Sequence, residues 1–177
     1  LRDWLTIYAD SYVEDEISPL GSTRPSMRMG MYFPRIPKVP KLDLRLEGLY
    51  TDVPGQQPTG FIYWNGRYRS GYTNDGQLLA SWIGREGRGG QAWATYWMSP
   101  RSKIQLAYRH AEADREFVGG GRLNDFGIRG EWAVNPLWSV SGGLQYEQWK
   151  FPVLSKLPGS NTTASVQVTF YPQWRIR

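Results

Sequence analysis

The sequence predicts an all-β protein whose strands form an antiparallel transmembrane β-barrel. Three observations predict this fold. Polar and apolar residues alternate with a period of two in about ten segments, short and long connections alternate between them, and aromatic residues gather near the segment ends. Because a barrel places apolar residues at only every second position, the chain can span a membrane and still have a mean hydropathy of −0.53.

The alternation defines ten expected strands, and no segment shows a competing helical period. They lie at 5–10, 26–33, 42–47, 61–64, 77–83, 92–98, 103–109, 126–132, 139–147 and 164–170. The polar positions carry both signs of charge, as at Arg45 and Glu47, and such residues pair across strands in a barrel lumen. On a soluble sheet the same residues would form a mixed-charge exterior, so the alternation alone leaves both structures open.

The lengths of the connections between strands favour a transmembrane barrel over a soluble sheet. Residues 99–102 and 135–137 are expected to form tight turns around Pro100 and Pro136, whereas 54–60, 84–90, 110–123 and 150–162 are expected to be longer loops. Outer-membrane barrels have short periplasmic turns and long extracellular loops, an asymmetry that a soluble sandwich lacks.

Aromatic residues are expected near the two membrane interfaces, where amphipathic rings collect. The predicted interfacial residues are Trp93, Trp97, Trp132, Trp138, Trp149, Tyr8, Tyr12, Tyr32, Tyr50 and Tyr171.

The composition excludes several kinds of chemistry. The chain has no cysteine and one histidine, so it offers no disulfide, thiol nucleophile or two-histidine metal site. His110 is expected where a strand gives way to a loop, without a nucleophile elbow, and 119–121 lacks the lysine of a phosphate loop. The net charge of +5 is scattered rather than concentrated in a run. We therefore expect no enzyme, catalytic residue, metal, cofactor or nucleic-acid partner.

One segment resembles a known family. Residues 66–89 contain the run Tyr68-Arg69-Ser70-Gly71-Tyr72-Thr73 followed by a glycine-rich turn, and this order resembles the Wzi-type capsule assembly family. The stretches 97–100, 140–149 and 165–170 are similar to the last strands of that family. The resemblance extends over most of the chain, from about Leu5 onward.

The resemblance implies a non-enzymatic barrel of the bacterial cell outer membrane, with on the order of eighteen strands, that binds exported polysaccharide and anchors capsule at the surface. Because only about ten strands are expected here, we interpret residues 1–177 as a single domain that is the C-terminal half of a longer barrel. A small barrel of eight or ten strands that closes on itself is the alternative.

The expected ligand is a capsular or exported polysaccharide, since sugar rings pack on aromatic faces and anionic groups pair with arginine. The expected ligand-binding residues, in the lumen or the loops, are Arg67, Arg69, Tyr72, Arg85 and Arg88. The glycines beside them could instead only shape turns. Other expected partners are outer-membrane lipid and either the remaining half of the barrel or another envelope protein. An outer-membrane channel and a soluble lipocalin-like carrier remain alternative functions.

Overall fold

The computed structural model describes residues 4–12, 26–51, 63, 73–74, 77–78 and 81–172, and these residues are almost entirely β-structure. The strands are β1 (Thr6–Tyr12), β2 (Ser26–Phe33), β3 (Leu42–Tyr50), β4 (Thr73–Asn74), β5 (Gln77–Leu78), β6 (Gly87–Ser99), β7 (Ser102–Ala113), β8 (Gly121–Ala133), β9 (Trp138–Lys150) and β10 (Gly159–Phe170). One short helix, α1 (Arg115–Val118), lies between β7 and β8. In this part of the chain, no helix has both the length and the apolar character needed to cross a membrane.

Eight of these strands form one antiparallel sheet in the order β1-β2-β3-β6-β7-β8-β9-β10, and β4 pairs only with β5 in a separate two-residue hairpin. Each strand of the large sheet therefore pairs with the next long strand along the chain, which is an up-and-down arrangement. The predicted all-β antiparallel fold is confirmed.

The predicted strand count is wrong. Eight of the ten expected segments are strands of the sheet, whereas 61–64 lies outside the described residues apart from Tyr63. The expected strand at 77–83 is reduced to β5, and Ser81–Ile83 does not extend it. Trp82 and Ile83 instead pack against residues of β7 and β6, as described below. Among the described residues β1 and β10 lack a pairing with each other, so this sheet is open.

The connections differ in length between the two ends of the sheet. One end, here the turn end, carries 34–41, 100–101 and 134–137, and the other, the loop end, carries 13–25, 51–86, 114–120 and 151–158. The predicted tight turns are found at 100–101 and 134–137, but 34–41 at the turn end has eight residues, as many as 151–158 and more than 114–120, so the expected asymmetry is only partial. At the turn end, Asn135 Oδ1 accepts hydrogen bonds from the backbone N–H groups of Leu137 and Trp138, 2.8 and 3.0 Å away, which closes that turn.

Three loops are shorter than expected. The predicted loop 150–162 is reduced to 151–158 because β10 already begins at Gly159. The predicted loop 110–123 is reduced to 114–120 because β7 continues to Ala113, and the second half of the predicted loop 84–90 belongs to β6. Glycine fits within β6 because a Cβ on Gly89 would overlap the backbone carbonyl oxygen of His110 and crowd Ile83. The glycine cluster therefore marks a close approach inside a strand rather than a turn.

The two faces of the sheet differ sharply in polarity. The inner face carries the even-numbered side chains of β1 and β2 and the odd-numbered side chains of β3 and β6 to β10, and the outer face carries the others. Buried polar side chains lie on the inner face, for example Asp43, Glu47 and Thr95, whereas Leu106 and Ile128 of the outer face are about half exposed. Leu49 is the one large apolar side chain of the described residues that is buried. This burial is the reverse of that in a soluble globular domain.

Candidate functional site

The inner face contains a hydrogen-bonded cluster around Glu47, which is only 6% exposed. Tyr8 Oη donates to Glu47 Oε1, Arg45 Nη2 lies 2.6 Å from the same oxygen, and Gln91 Nε2 donates to Oε2 at 2.7 Å. The Arg45 guanidinium also lies 5.5 Å from the Tyr8 ring centre and 5.4 Å from that of Trp93. The buried carboxylate is thus fully paired by residues from three strands, β1, β3 and β6.

A second cluster surrounds Asp125 in β8. Arg109 Nη2 lies 2.7 Å from Asp125 Oδ2, and Gln145 Nε2 donates to both Asp125 oxygens at 3.0 and 3.1 Å. Gln145 also contacts Glu147 Oε1 at 3.1 Å. Arg109 and Asp125 therefore pair across neighbouring strands, whereas Arg45 and Glu47 pair within β3.

Between the clusters lies an open hollow of about 480 Å³. Its floor is low because Ala107, Gly127 and Gly143 have little or no side chain. The surrounding inner-face side chains belong to Gln91, Trp93, Gln105, Arg109, Asp125, Arg129, Gln145, Thr163 and Ser165. One aromatic face, two arginines and several amide and hydroxyl groups therefore converge on one concave surface, which suits a polar ligand with ring faces.

Part of the connection before β6 folds onto the inner face. The Arg109 guanidinium lies 5.3 Å from the Trp82 ring centre, and Thr51 Oγ1 anchors the segment by donating to the Gly84 carbonyl oxygen at 2.9 Å. Arg109 Nε and Trp82 Nε1 are both buried without a hydrogen-bond acceptor within the described chain. Such donors call for an acceptor from water or from a ligand beside the hollow.

The five predicted ligand-binding residues lie elsewhere or outside the described residues. Arg67, Arg69 and Tyr72 lie outside them. Arg85 is half-buried before β6, with its guanidinium 4.9 Å from the Phe117 ring centre. Arg88 lies within β6 on the outer face, where its Nε donates to Glu112 Oε2 at 2.9 Å. The structure therefore brings neither arginine to the hollow, and polysaccharide binding by all five residues stays a prediction.

The sequence interpretation missed the role of several aromatic residues. Tyr8, Tyr32, Trp93, Trp97 and Trp149 share the inner face with the charged residues instead of forming interfacial girdles. Trp97 Nε1, for example, donates to Asp43 Oδ2 at 2.7 Å. The parity of the alternation could have shown this, since Trp93 has the same parity as Gln91 and Thr95.

His110 also lies elsewhere than expected. It is inside β7, opposite Gly90 and Asn124 and on the outer face, rather than at the start of a loop. Its Nδ1 lies 2.8 Å from Asn124 Oδ1, and its Nε2 lies 3.6 Å from Glu112 Oε1. Neither contact supplies a nucleophile. Within the described ranges, no group of three or more His, Asp and Glu side chains could hold a metal ion.

The cluster around Asp125 predicts a measurable coupling. Asp125→Ala leaves the partly buried Arg109 without its carboxylate, so we expect a cost of about 1–3 kcal/mol in the free energy of unfolding from lipid vesicles. Arg109→Ala/Asp125→Ala should cost less than the sum of the single changes. Asp10→Ala is the control because its ion pair with Arg28 is largely exposed, and it should cost under about 1 kcal/mol. Equal costs at Asp10 and Asp125 would contradict the interpretation.

Comparison with known proteins identifies one relationship. The family model of the capsule assembly protein Wzi matches residues 1–164. Searches of curated proteins and of solved structures give no significant match. The family match spans nearly the whole chain, including all of β1 to β9 with their clusters and hollow walls, and the first half of β10. The chain therefore belongs to the Wzi family of capsule assembly proteins.

Proposed function

We propose that this chain forms part of a bacterial outer-membrane β-barrel that takes part in capsule assembly by binding exported polysaccharide, without catalysing a reaction. Membership of the capsule assembly family supports the proposed role in capsule assembly. The observation that carries the membrane assignment is the reversed burial, with paired charges on the inner face and large apolar side chains exposed on the outer face. A soluble carrier would instead turn its polar face to water.

The outer face has the dimensions of a membrane-spanning belt. Tyr108, Phe126 and Tyr146 border it towards the loop end, and Trp132, Trp138 and Phe170 border it towards the turn end. The eight steps from Trp138 to Tyr146 extend about 27 Å along β9, or about 20 Å along the membrane normal at a strand tilt near 40°. This approaches the apolar height of about 25 Å found in outer-membrane barrels. By the same comparison, the loop end faces the cell exterior.

The two edges of the sheet require partners in a membrane. Backbone groups along the outer edges of β1 and β10 lack a ladder partner among the described residues, and hydrocarbon offers them no water. We therefore infer that strands from the remaining part of a larger barrel, or from another envelope protein, pair with both edges.

The hollow is the surface best suited to polysaccharide. Trp93 offers a ring face, Arg129 is well exposed and has one long contact with Glu131 at 3.4 Å, and the partly exposed side chain of Arg109 also lines the hollow. Sugar hydroxyl and carboxylate oxygens can accept hydrogen bonds from the exposed Arg129 guanidinium, and sugar ring faces pack on indole. The side chains that line the hollow therefore suit an anionic polysaccharide in their chemistry.

A binding experiment tests the hollow. In a pull-down of the full-length protein with capsular polysaccharide, Trp93→Ala/Arg129→Ala should weaken binding at least about tenfold, because a stacking surface and a charged donor are lost. Arg101→Ala at the turn end is the control and should bind normally. Unchanged binding by the double variant would exclude the hollow as the polysaccharide site.

The two arginines at the loop end, Arg85 before β6 and Arg88 within it, need a separate test. If Arg85 and Arg88 also contact polysaccharide, Arg85→Ala/Arg88→Ala should reduce capsule binding in the same pull-down. Unchanged binding would show that neither Arg85 nor Arg88 contacts polysaccharide. The hollow is tested separately by Trp93→Ala/Arg129→Ala.

A channel is the second candidate, because the inner face is polar enough to hold water. Against it, Trp82 and the segment anchored by Thr51 lie on this face and narrow the space beside Arg109. We therefore expect the full-length protein to conduct little across a planar bilayer, and a large steady conductance would favour the channel.

A further inference from the structure

A row of charged residues crosses the outer face at the loop end. Arg88, Glu112, Arg122 and Lys150 are consecutive register partners on β6, β7, β8 and β9. Glu112 is held by Arg88, whose Nη2 lies 2.9 Å from its Oε2. Arg122 and Lys150 face each other, are both exposed, and have no carboxylate within ion-pair distance in the described part of the chain. Two neighbouring cations are thus available to an anion.

The row borders an open groove of about 660 Å³ at the rim. Arg115 adds a further cation, and backbone of the glycines at 119–121 lines the base. Of the carboxylates that line this groove, Glu112 pairs with Arg88, and Asp114 Oδ1 accepts hydrogen bonds from Glu116 N and Phe117 N at the start of α1. Two of its three carboxylates are therefore already engaged, and the groove favours a negatively charged group.

An apolar groove of about 580 Å³ lies on the same face, closer to the middle of the belt. It forms where Ala92 and Ala94 of β6 stand beside the larger side chains of Leu106, Phe126, Leu144 and Tyr146. Phe126 is four residues from Arg122 on one face of β8, and Tyr146 is four residues from Lys150 on β9, about 13 Å in each case. Between them, Asn124 and Gln148 form a polar row.

The order of cations, polar amides and apolar groove matches an amphiphile that lies along the strands. We propose that this outer surface binds a phosphorylated lipid of the outer leaflet, with its phosphate between Arg122 and Lys150 and its acyl chains in the apolar groove. Arginine and lysine both hold phosphate oxygens strongly. A polysaccharide would leave the apolar groove empty. The proposal rests on the proposed function, because only a barrel wall in a membrane presents this face to lipid.

The test measures lipid binding to the full-length protein purified in detergent. The probes are lipid A with both phosphates and lipid A from which the phosphates have been removed. Since each cation near an anionic lipid surface contributes about fivefold, Arg122→Gln/Lys150→Gln should bind phosphorylated lipid A about 25-fold more weakly. Lys41→Gln/Arg101→Gln, two exposed cations at the turn end, is the charge-matched control and should bind as the unchanged protein does.

Three results would overturn the proposal: equal binding of phosphorylated lipid A by both double variants, equal binding of the two lipid forms by the unchanged protein, or displacement of the lipid by free capsular polysaccharide. Membrane insertion and polysaccharide pull-down of the same variants show whether the proposed function itself holds. If Arg122→Gln/Lys150→Gln inserts and binds polysaccharide normally while lipid binding is unaffected, the lipid site alone is wrong.

Discussion

Replacing Leu106 by Arg is expected to destabilise the full-length protein in lipid by about 1–3 kcal/mol, because the new charge would lie within the apolar belt, two residues from Tyr108 at its border. Leu106 is 55% exposed on the outer face, between Ala94 of β6 and Ile128 of β8. In a water-soluble protein the same change at so exposed a position would alter stability by at most about 0.5 kcal/mol. The two environments therefore predict clearly different free energies of unfolding.

Leu154→Arg is the matched control. Leu154 is 76% exposed in the connection between β9 and β10 at the loop end, outside the apolar belt. Unfolding titrations of both variants from lipid vesicles should show a large cost for Leu106→Arg and almost none for Leu154→Arg. Equal, small effects would contradict the placement of the outer face in a membrane.

Gly89→Val is expected to lower the free energy of unfolding by about 3 kcal/mol and to reduce the fraction of molecules that fold. A Cβ at Gly89 would overlap the backbone carbonyl oxygen of His110 and approach Ile83 Cδ1 at 2.8 Å. A backbone atom in the β6–β7 ladder cannot move aside without loss of hydrogen bonds, and Ile83 belongs to the segment that folds onto the inner face. The variant should therefore lower both the yield of folded protein and its resistance to heat.

Gly48→Val serves as the control, because an added Cβ there meets nothing within 4 Å. Gly48 lies in β3 on the outer face, beside the strand that contains Gly89. Valine favours strands, so this variant should fold at least as well as the unchanged protein. If heat-resistance assays in detergent show the same loss for both variants, the close approach at Gly89 does not limit the fold.

The strands could be predicted because side-chain direction reverses at every residue, so one polar and one apolar face leave a period of two in the sequence. The same parity predicts that Arg45 and Glu47 share a face with Lys103 and Arg129. It also places Trp93 on that face, although its aromatic character suggested an interfacial position.

Other features depend on contacts that a period does not encode. The apolar residues of 77–83 suggested a strand, but Ile83 lies against Gly89, and Trp82 packs on Arg109, which is far from it in the chain. The hollow depends on register, which brings Ala107 opposite Gly127 across β7 and β8. Register is set by turn lengths and cross-strand packing, so the hollow could not be derived from the alternation alone.

The most direct test of the membrane assignment is the accessibility of successive residues along β8. The chain has no cysteine of its own, so residues 123–131 can each be replaced by cysteine in the full-length protein and spin-labelled in lipid vesicles. Labels at Asn124, Phe126, Ile128 and Gly130 lie on the outer face, and those at the odd positions lie on the inner face. We expect collisions with oxygen at Phe126 and Ile128, and collisions with a water-soluble nickel reagent at Gly127 and Arg129. Accessibility of Phe126 and Ile128 to the nickel reagent, or a full-length protein that stays in solution without detergent, would contradict the account.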